Sequence, residues 1–106
     1  MTYIRSRTAS KGLEDLRILV VDDNELARRM MERILRAFGC TQIYQASDGA
    51  EALKTTRDSF RPDVIFTDRD MAPMNGLMFT SMLRAAQSSS SDIPVVMVSA
   101  RTGEDA

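Results

Sequence analysis

Apolar residues along this chain fall into two alternating rhythms. Residues 16–21, residues 62–68 up to their closing aspartate, and residues 93–100 are nearly unbroken apolar runs rich in β-branched side chains. Such runs predict strands covered on both faces of a parallel sheet. Residues 41–46 alternate more, as an edge strand does. Between the first two runs, Leu26, Ala27, Met30, Met31, Ile34, Leu35 and Phe38 recur with a period of about 3.6 residues and stop at Gly39, which predicts an amphipathic helix from Glu25. Ser47-Asp48-Gly49 reads as a turn and cap for a short helix running to about Ser59, which Phe60-Arg61-Pro62 ends. Leu77, Met78, Met82, Leu83 and Ala86 predict a third helix starting near Gly76 and dissolving into a surface connection at Ser88-Ser89-Ser90-Ser91. Met71, Met74, Met78 and Met82 are expected to serve as packing material.

Strands and helices therefore alternate without an internal repeat. That order predicts right-handed βαβ crossovers and an open parallel α/β sheet. With 106 residues there is room for one domain. Residues 1–15 lack periodicity and are expected to be a flexible lead-in, leaving residues 16–106 for the domain.

Composition narrows the function classes. Fourteen basic residues against 15 acidic ones give no overall field for nucleic acid or an anionic membrane. The single Cys40 cannot close an internal disulfide, and without histidine there is no Ser-His or Cys-His pair and no zinc-ligand spacing. No apolar run approaches the roughly 18 residues of a membrane span, and the N-terminus lacks a signal-peptide core. These features predict a soluble chain of the reducing cytoplasm.

The candidate chemistry sits where the strands end. Asp22-Asp23 closes the first, Asp68 the third and Ser99 the fourth. In open α/β sheets that edge is where ligands bind. Asp68 is then a metal ligand, a nucleophile or a helix cap, and the cap reading weakens because the next helix starts only near Gly76. Asp22 and Asp23 repel each other unless a cation lies between them; otherwise one caps the next helix, a task Asn24 can equally perform. If the strands are adjacent, all four side chains converge on one crevice, which a single metal and phosphate site explains better than three separate caps. Arg28, Arg29, Arg33 and Arg36 line the outer face of the first helix, but Glu25 and Glu32 stand four residues before Arg29 and Arg36. Part of that face is thus self-paired and is expected to be solvated or to dock a partner.

The residues at this point resemble the receiver domain of two-component response regulators, of the chemotaxis-receiver type. The matching pieces are Ile18-Leu19-Val20-Val21-Asp22-Asp23-Asn24, Ala46-Ser47-Asp48-Gly49-Ala50-Glu51-Ala52-Leu53, Pro62-Asp63-Val64-Ile65-Phe66-Thr67-Asp68, Met71 with Met74 and Gly76, and Ile93-Pro94-Val95-Val96-Met97-Val98-Ser99-Ala100. The resemblance implies a flavodoxin-like sheet with strand order 2-1-3-4 and a fifth strand missing from this chain. It implies that Asp68 accepts a phosphoryl group from a histidine kinase or a histidine phosphotransfer protein, with Mg²⁺ as cofactor. Asp23 would hold the ion directly, Asp22 mostly through water, and Asp70 through its backbone carbonyl, while Ser99 would hydrogen-bond the phosphoryl oxygens. Asp70 and Arg101 occupy positions that modulate phosphoryl lifetime in the family, and they carry opposite charges.

Three departures stand out. Ala72 occupies the family's usual proline position, with Pro73 one later; Asp70 adds a carboxylate beside the site; and the family's later helix, fifth strand and site lysine have no counterpart, since no lysine follows Lys54. A receiver truncated after strand four would expose residues 95–98 as an apolar edge. A missing C-terminal segment, or pairing with another chain as a dimer, is expected to cover it. Two other functions remain open. One is a receiver-like interaction module that takes no phosphate. The other is an aspartyl-phosphate hydrolase of haloacid-dehalogenase type, suggested by Asp68-Arg69-Asp70 but lacking that family's downstream acidic pair and lysine.

Overall fold

The computed structural model describes residues 12–58, 60–86 and 92–98. A 3₁₀ turn at Leu13–Asp15, within the expected lead-in, leads into β1 (Arg17–Val21). The chain continues through α1 (Glu25–Ala37), β2 (Gln42–Ala46), α2 (Gly49–Asp58), β3 (Val64–Asp68), α3 (Gly76–Ala85) and β4 (Val95–Val98). The remaining lead-in and Ser99 to Ala106 lie outside the described residues.

All strand pairings are parallel and the order is β2-β1-β3-β4, as expected. Ile18 pairs with Ile43 on one side and Val64 on the other, so β1 is central. Asp63 staples the entry to the sheet: its buried carboxylate accepts from the Arg17 N–H at 2.9 Å, and its own N–H donates to the Arg17 carbonyl at 2.7 Å.

Helix boundaries follow local chemistry. Asn24, not Asp22 or Asp23, caps α1, its Oδ1 accepting from the Ala27 N–H at 2.8 Å, and Gly39 leaves the helix at φ +106°, a conformation that favours glycine. Asp48 caps α2 through the Glu51 N–H at 2.8 Å. Asn75 caps α3 through the Met78 N–H at 2.8 Å, so Asp68 is not a cap.

Two apolar layers flank the sheet. Leu19, Val21, Ile65, Ala52, Phe79, Leu83 and Ile93 form the main core on the α2 and α3 face. Ile18, Val20 and Cys40 form the smaller layer, against which Met31 and Leu35 of α1 pack. Here the structure departs from several expectations. β1 is buried throughout after Arg17, but in β3 only Ile65 and Thr67 are fully buried, because α1 covers its face of the sheet incompletely. Only part of the broad apolar stripe of α1 packs; Leu26, Met30, Ile34 and Phe38 are exposed. In α3 the buried face is Gly76, Phe79 and Leu83, while Leu77, Met78 and Met82 face outward. Met71 is buried and Met74 half-buried, so packing holds for those two methionines and fails for Met78 and Met82.

Candidate functional site

β1 and β3 are neighbours in the sheet, yet the helices that follow them leave toward opposite faces. This separation opens a crevice at the carboxyl ends of the two strands. Asp22 follows β1 directly, and its N–H donates to the Ala46 carbonyl at 3.1 Å, so the pairing with β2 continues one residue past the strand. Asp68 ends β3 opposite Val98 of β4. One carboxylate oxygen from each of Asp22, Asp23 and Asp68 lies within 4.8 Å of the others. Asp22 and Asp68 are half-buried and Asp23 is exposed.

The surroundings hold the Asp22 and Asp23 carboxylates individually. Asp22 Oδ1 accepts from the Asn24 N–H at 2.9 Å, and the Asp22 carbonyl accepts from Arg28 Nη1 at 2.7 Å. Asp23 Oδ2 receives a longer contact, 3.4 Å, from the Ala72 N–H on the loop after β3. Burial, reinforced by the charges of Asp68 and Asp23, raises the Asp22 carboxyl above its ordinary pKa, although the Asn24 N–H pulls the other way. Three oxygen donors at this spacing suit a hard divalent cation, which would relieve the repulsion.

The loop between β3 and α3 returns tightly. The Gly76 N–H donates to the Arg69 carbonyl at 3.0 Å, and a Cβ on Gly76 would lie 2.5 Å from the Asp68 carbonyl oxygen. Only glycine lets helix α3 start this close to the main chain of Asp68 without something shifting.

The structure brings together Asp22, Asp23 and Asp68. Asp70 is exposed on the following loop and is not part of the triad. Ser99 and Arg101 lie outside the described residues, and so does the relation of Arg101 to the oppositely charged Asp70. The sequence reading missed the Arg28 contact, because Arg28 sits on the helix face expected to be solvated or to dock a partner. The expected pairs Glu25 with Arg29 and Glu32 with Arg36 are both formed, at 2.7 and 2.8 Å. Among the described residues no helix is long and apolar enough to cross a membrane.

Comparison with known proteins agrees with this geometry. The family model of the response regulator receiver domain matches residues 18–106. The chain belongs to that family. It is 38% identical over 94 residues to the transcriptional regulatory protein PrrA of Mycobacterium tuberculosis, covering 89% of this chain and 38% of PrrA. It is 32% identical over 89 residues to a chemotaxis protein CheY homolog of Campylobacter jejuni, covering 84% of this chain and 68% of that protein. A protein-glutamate methylesterase/protein-glutamine glutaminase of Rhodospirillum rubrum is 41% identical over 86 residues, which are 81% of this chain but 22% of the relative. Among solved structures, the response regulator CheY4 of Vibrio cholerae superposes with a TM-score of 0.72 at 32% identity, over 85% of this chain and 72% of that one. The chain thus spans well under half the length of PrrA and of the methylesterase.

Proposed function

We propose that this chain is the phosphoacceptor module of a two-component response regulator, with Asp68 as the acceptor. The observation that supports this most directly is the grouping of Asp22, Asp23 and Asp68 within 4.8 Å at the carboxyl edge of the sheet, in a chain of the receiver family. An Asp68 carboxylate oxygen attacks phosphorus of a phosphohistidine on a histidine kinase or phosphotransfer protein. The new oxygen–phosphorus bond replaces the phosphorus–nitrogen bond, and the released imidazole takes up a proton. A carboxylate is a weak nucleophile toward an anionic donor, so the site must lower the charge repulsion.

The donor set fits Mg²⁺, which prefers oxygen ligands and retains waters. Asp23 and Asp68 would hold the ion directly, Asp22 through water and Asp70 through its backbone carbonyl. When bound, the ion neutralises charge on the carboxylate and phosphoryl oxygens. Ser99 is assigned to hydrogen-bond the phosphoryl group, and Asp70 and Arg101 to tune its lifetime. Residues 16–106 would form this signalling module and 1–15 its lead-in, working in the cytoplasm. It carries out chemistry only on itself; the esterase activity named for the Rhodospirillum rubrum relative is that protein's own.

Incubation with acetyl phosphate and Mg²⁺, followed by intact-mass measurement, tests the assignment. A phosphoryl adduct on the wild-type chain that disappears in Asp68→Asn is expected, with the variant retaining its fold by circular dichroism. An adduct persisting on Asp68→Asn would place the nucleophile elsewhere. Phosphate release without an adduct would favour a hydrolase, and no reaction would favour an interaction module.

A further inference from the structure

We propose that Arg28 is a positioning residue for the acidic site, holding the peptide between Asp22 and Asp23 so that the exposed Asp23 carboxylate is aimed at the cation. The inference rests on the Mg²⁺ reading above. The Asp22 carbonyl and the Asp23 nitrogen belong to one planar peptide unit, so fixing the carbonyl also limits the direction in which Asp23 leaves the chain. Arg28 Nη1 donates to that carbonyl at 2.7 Å. The Asp23 side chain has weak support of its own, the 3.4 Å contact from Ala72.

Arg28 is itself braced from behind. Its Nε donates to Gln45 Oε1 at 2.9 Å, and Gln45 Nε2 donates to Glu32 Oε1 at 2.6 Å. Glu32 Oε2 accepts from Arg36 Nε at 2.8 Å, and Arg36 Nη1 reaches the Thr41 carbonyl at 3.3 Å. Hydrogen bonds from Arg36 and then Gln45 hold Glu32 below its ordinary pKa, so it stays charged near neutral pH. The result is a polar strut along the β2 edge of α1, ending at the acidic site. Each planar fork in it accepts or donates in a fixed direction, which an ammonium group in place of Arg28 would not reproduce.

Charge and geometry predict opposite outcomes, which makes the inference decidable. As a nearby cation, Arg28 repels a bound metal, so its removal would tighten binding if it were a bystander. As a positioning residue, its removal must weaken binding, by about tenfold, as when a group that orients a metal-holding residue is lost.

The test is a calorimetric Mg²⁺ titration of the 106-residue chain at constant ionic strength, with the metal-free Asp23 amide followed by NMR. Arg28→Ala should weaken binding about tenfold and broaden the Asp23 amide resonance; Arg28→Lys, which keeps the charge but not the fork, should recover only part of the affinity. Gln45→Ala leaves the Arg28 charge in place and should weaken binding by a smaller factor. It decides the matter if Arg28→Ala does not fold: unchanged affinity in Gln45→Ala would then overturn the inference. Unchanged or tighter binding in folded Arg28→Ala overturns it while leaving the metal site standing, provided Asp23→Asn abolishes binding. If the wild-type chain binds no Mg²⁺, the metal reading and this inference fall together.

Discussion

Gly49 and Gly76 are the first residues of α2 and α3, so the same substitution at each tests what the third helix start presses against. A Cβ on Gly76 would lie 2.5 Å from the Asp68 carbonyl oxygen, 3.1 Å from Arg69 Cα and 3.3 Å from the Asp68 carbonyl carbon. All three are main-chain atoms that cannot rotate away, and the bond from the Gly76 N–H to the Arg69 carbonyl prevents the helix from lifting freely. A Cβ on Gly49 would instead meet Met74 Sδ at 2.6 Å and Cγ at 3.1 Å, with Phe79 Cβ at 3.2 Å. The thioether is an adaptable neighbour. Overpacking of a fixed core costs about 1–3 kcal/mol, whereas alanine gains at most about 1 kcal/mol over glycine in a helix. Gly76→Ala should therefore destabilise by a net of about 1–2 kcal/mol, a fall in Tm of several degrees for a domain of this size. Gly49→Ala should be close to neutral. Urea unfolding with m held constant reads the stabilities, and the rate of adduct formation with acetyl phosphate reads the site. Because the strained contact is to Asp68 itself, Gly76→Ala should also slow phosphorylation. Equal costs at the two glycines, or a neutral Gly76→Ala, would refute the close-approach argument.

Asp22 gives the metal-free chain a pH dependence of defined sign. Its folded pKa is raised above the reference value of 3.8, chiefly by burial, so its contribution is fully present below the unfolded pKa and is lost as pH rises through the folded one. Asp22→Asn should flatten that decline and leave the metal-free protein more stable near neutral pH, while weakening stabilisation by Mg²⁺; urea midpoints across a pH series check it, and a steeper decline in the variant would count against it. The orientation of α3 makes a second prediction. Phe79 is 0% exposed and Met82 is 49% exposed, so Phe79→Ala should cost about 3–5 kcal/mol and Met82→Ala at most about 0.5 kcal/mol. Comparable losses in chemical denaturation would restore the outward stripe as the buried face.

The open parallel α/β sheet was legible because strand and helix patterns alternate and crossovers are right-handed; the strand order came from the resemblance to the receiver family, and the convergence of Asp22, Asp23 and Asp68 followed once the two strands that end in them were taken as neighbours. Helix starts were legible where a capping side chain announces them, as at Asn24 and Asp48. The face of α3 was not. Leu83 belonged to the expected stripe and is buried, but Leu77, Met78 and Met82 fit a helical period as well as Phe79 does, and the buried face runs through Gly76, whose close approach to the main chain of Asp68 no local pattern contains. Arg28 was hidden for a similar reason: its partners, Gln45 and the Asp22 carbonyl, come from β2 and from the turn after β1. On α1, a stripe wide enough for two neighbours gives no sign of which half the described fold covers.

The central place of β1 also bears on how the chain assembles as it is made. Its register joins Arg17 to Gln42 on one side, but its other side waits for Val64 to Thr67. A nascent chain that has completed β1, α1 and β2 therefore carries its most apolar strand with one side open until β3 emerges. Closing that side needs a long crossover, and parallel pairing of this kind is slow and exposed to misassociation. The β2 side is better guarded from the start, since it carries Gln42, Gln45 and Tyr44, whose ring later packs at a tilt of 39° against Phe60 with centroids 3.9 Å apart. Substitutions that slow the arrival of β3 should thus act on yield during synthesis before they are felt in the equilibrium stability of the finished domain.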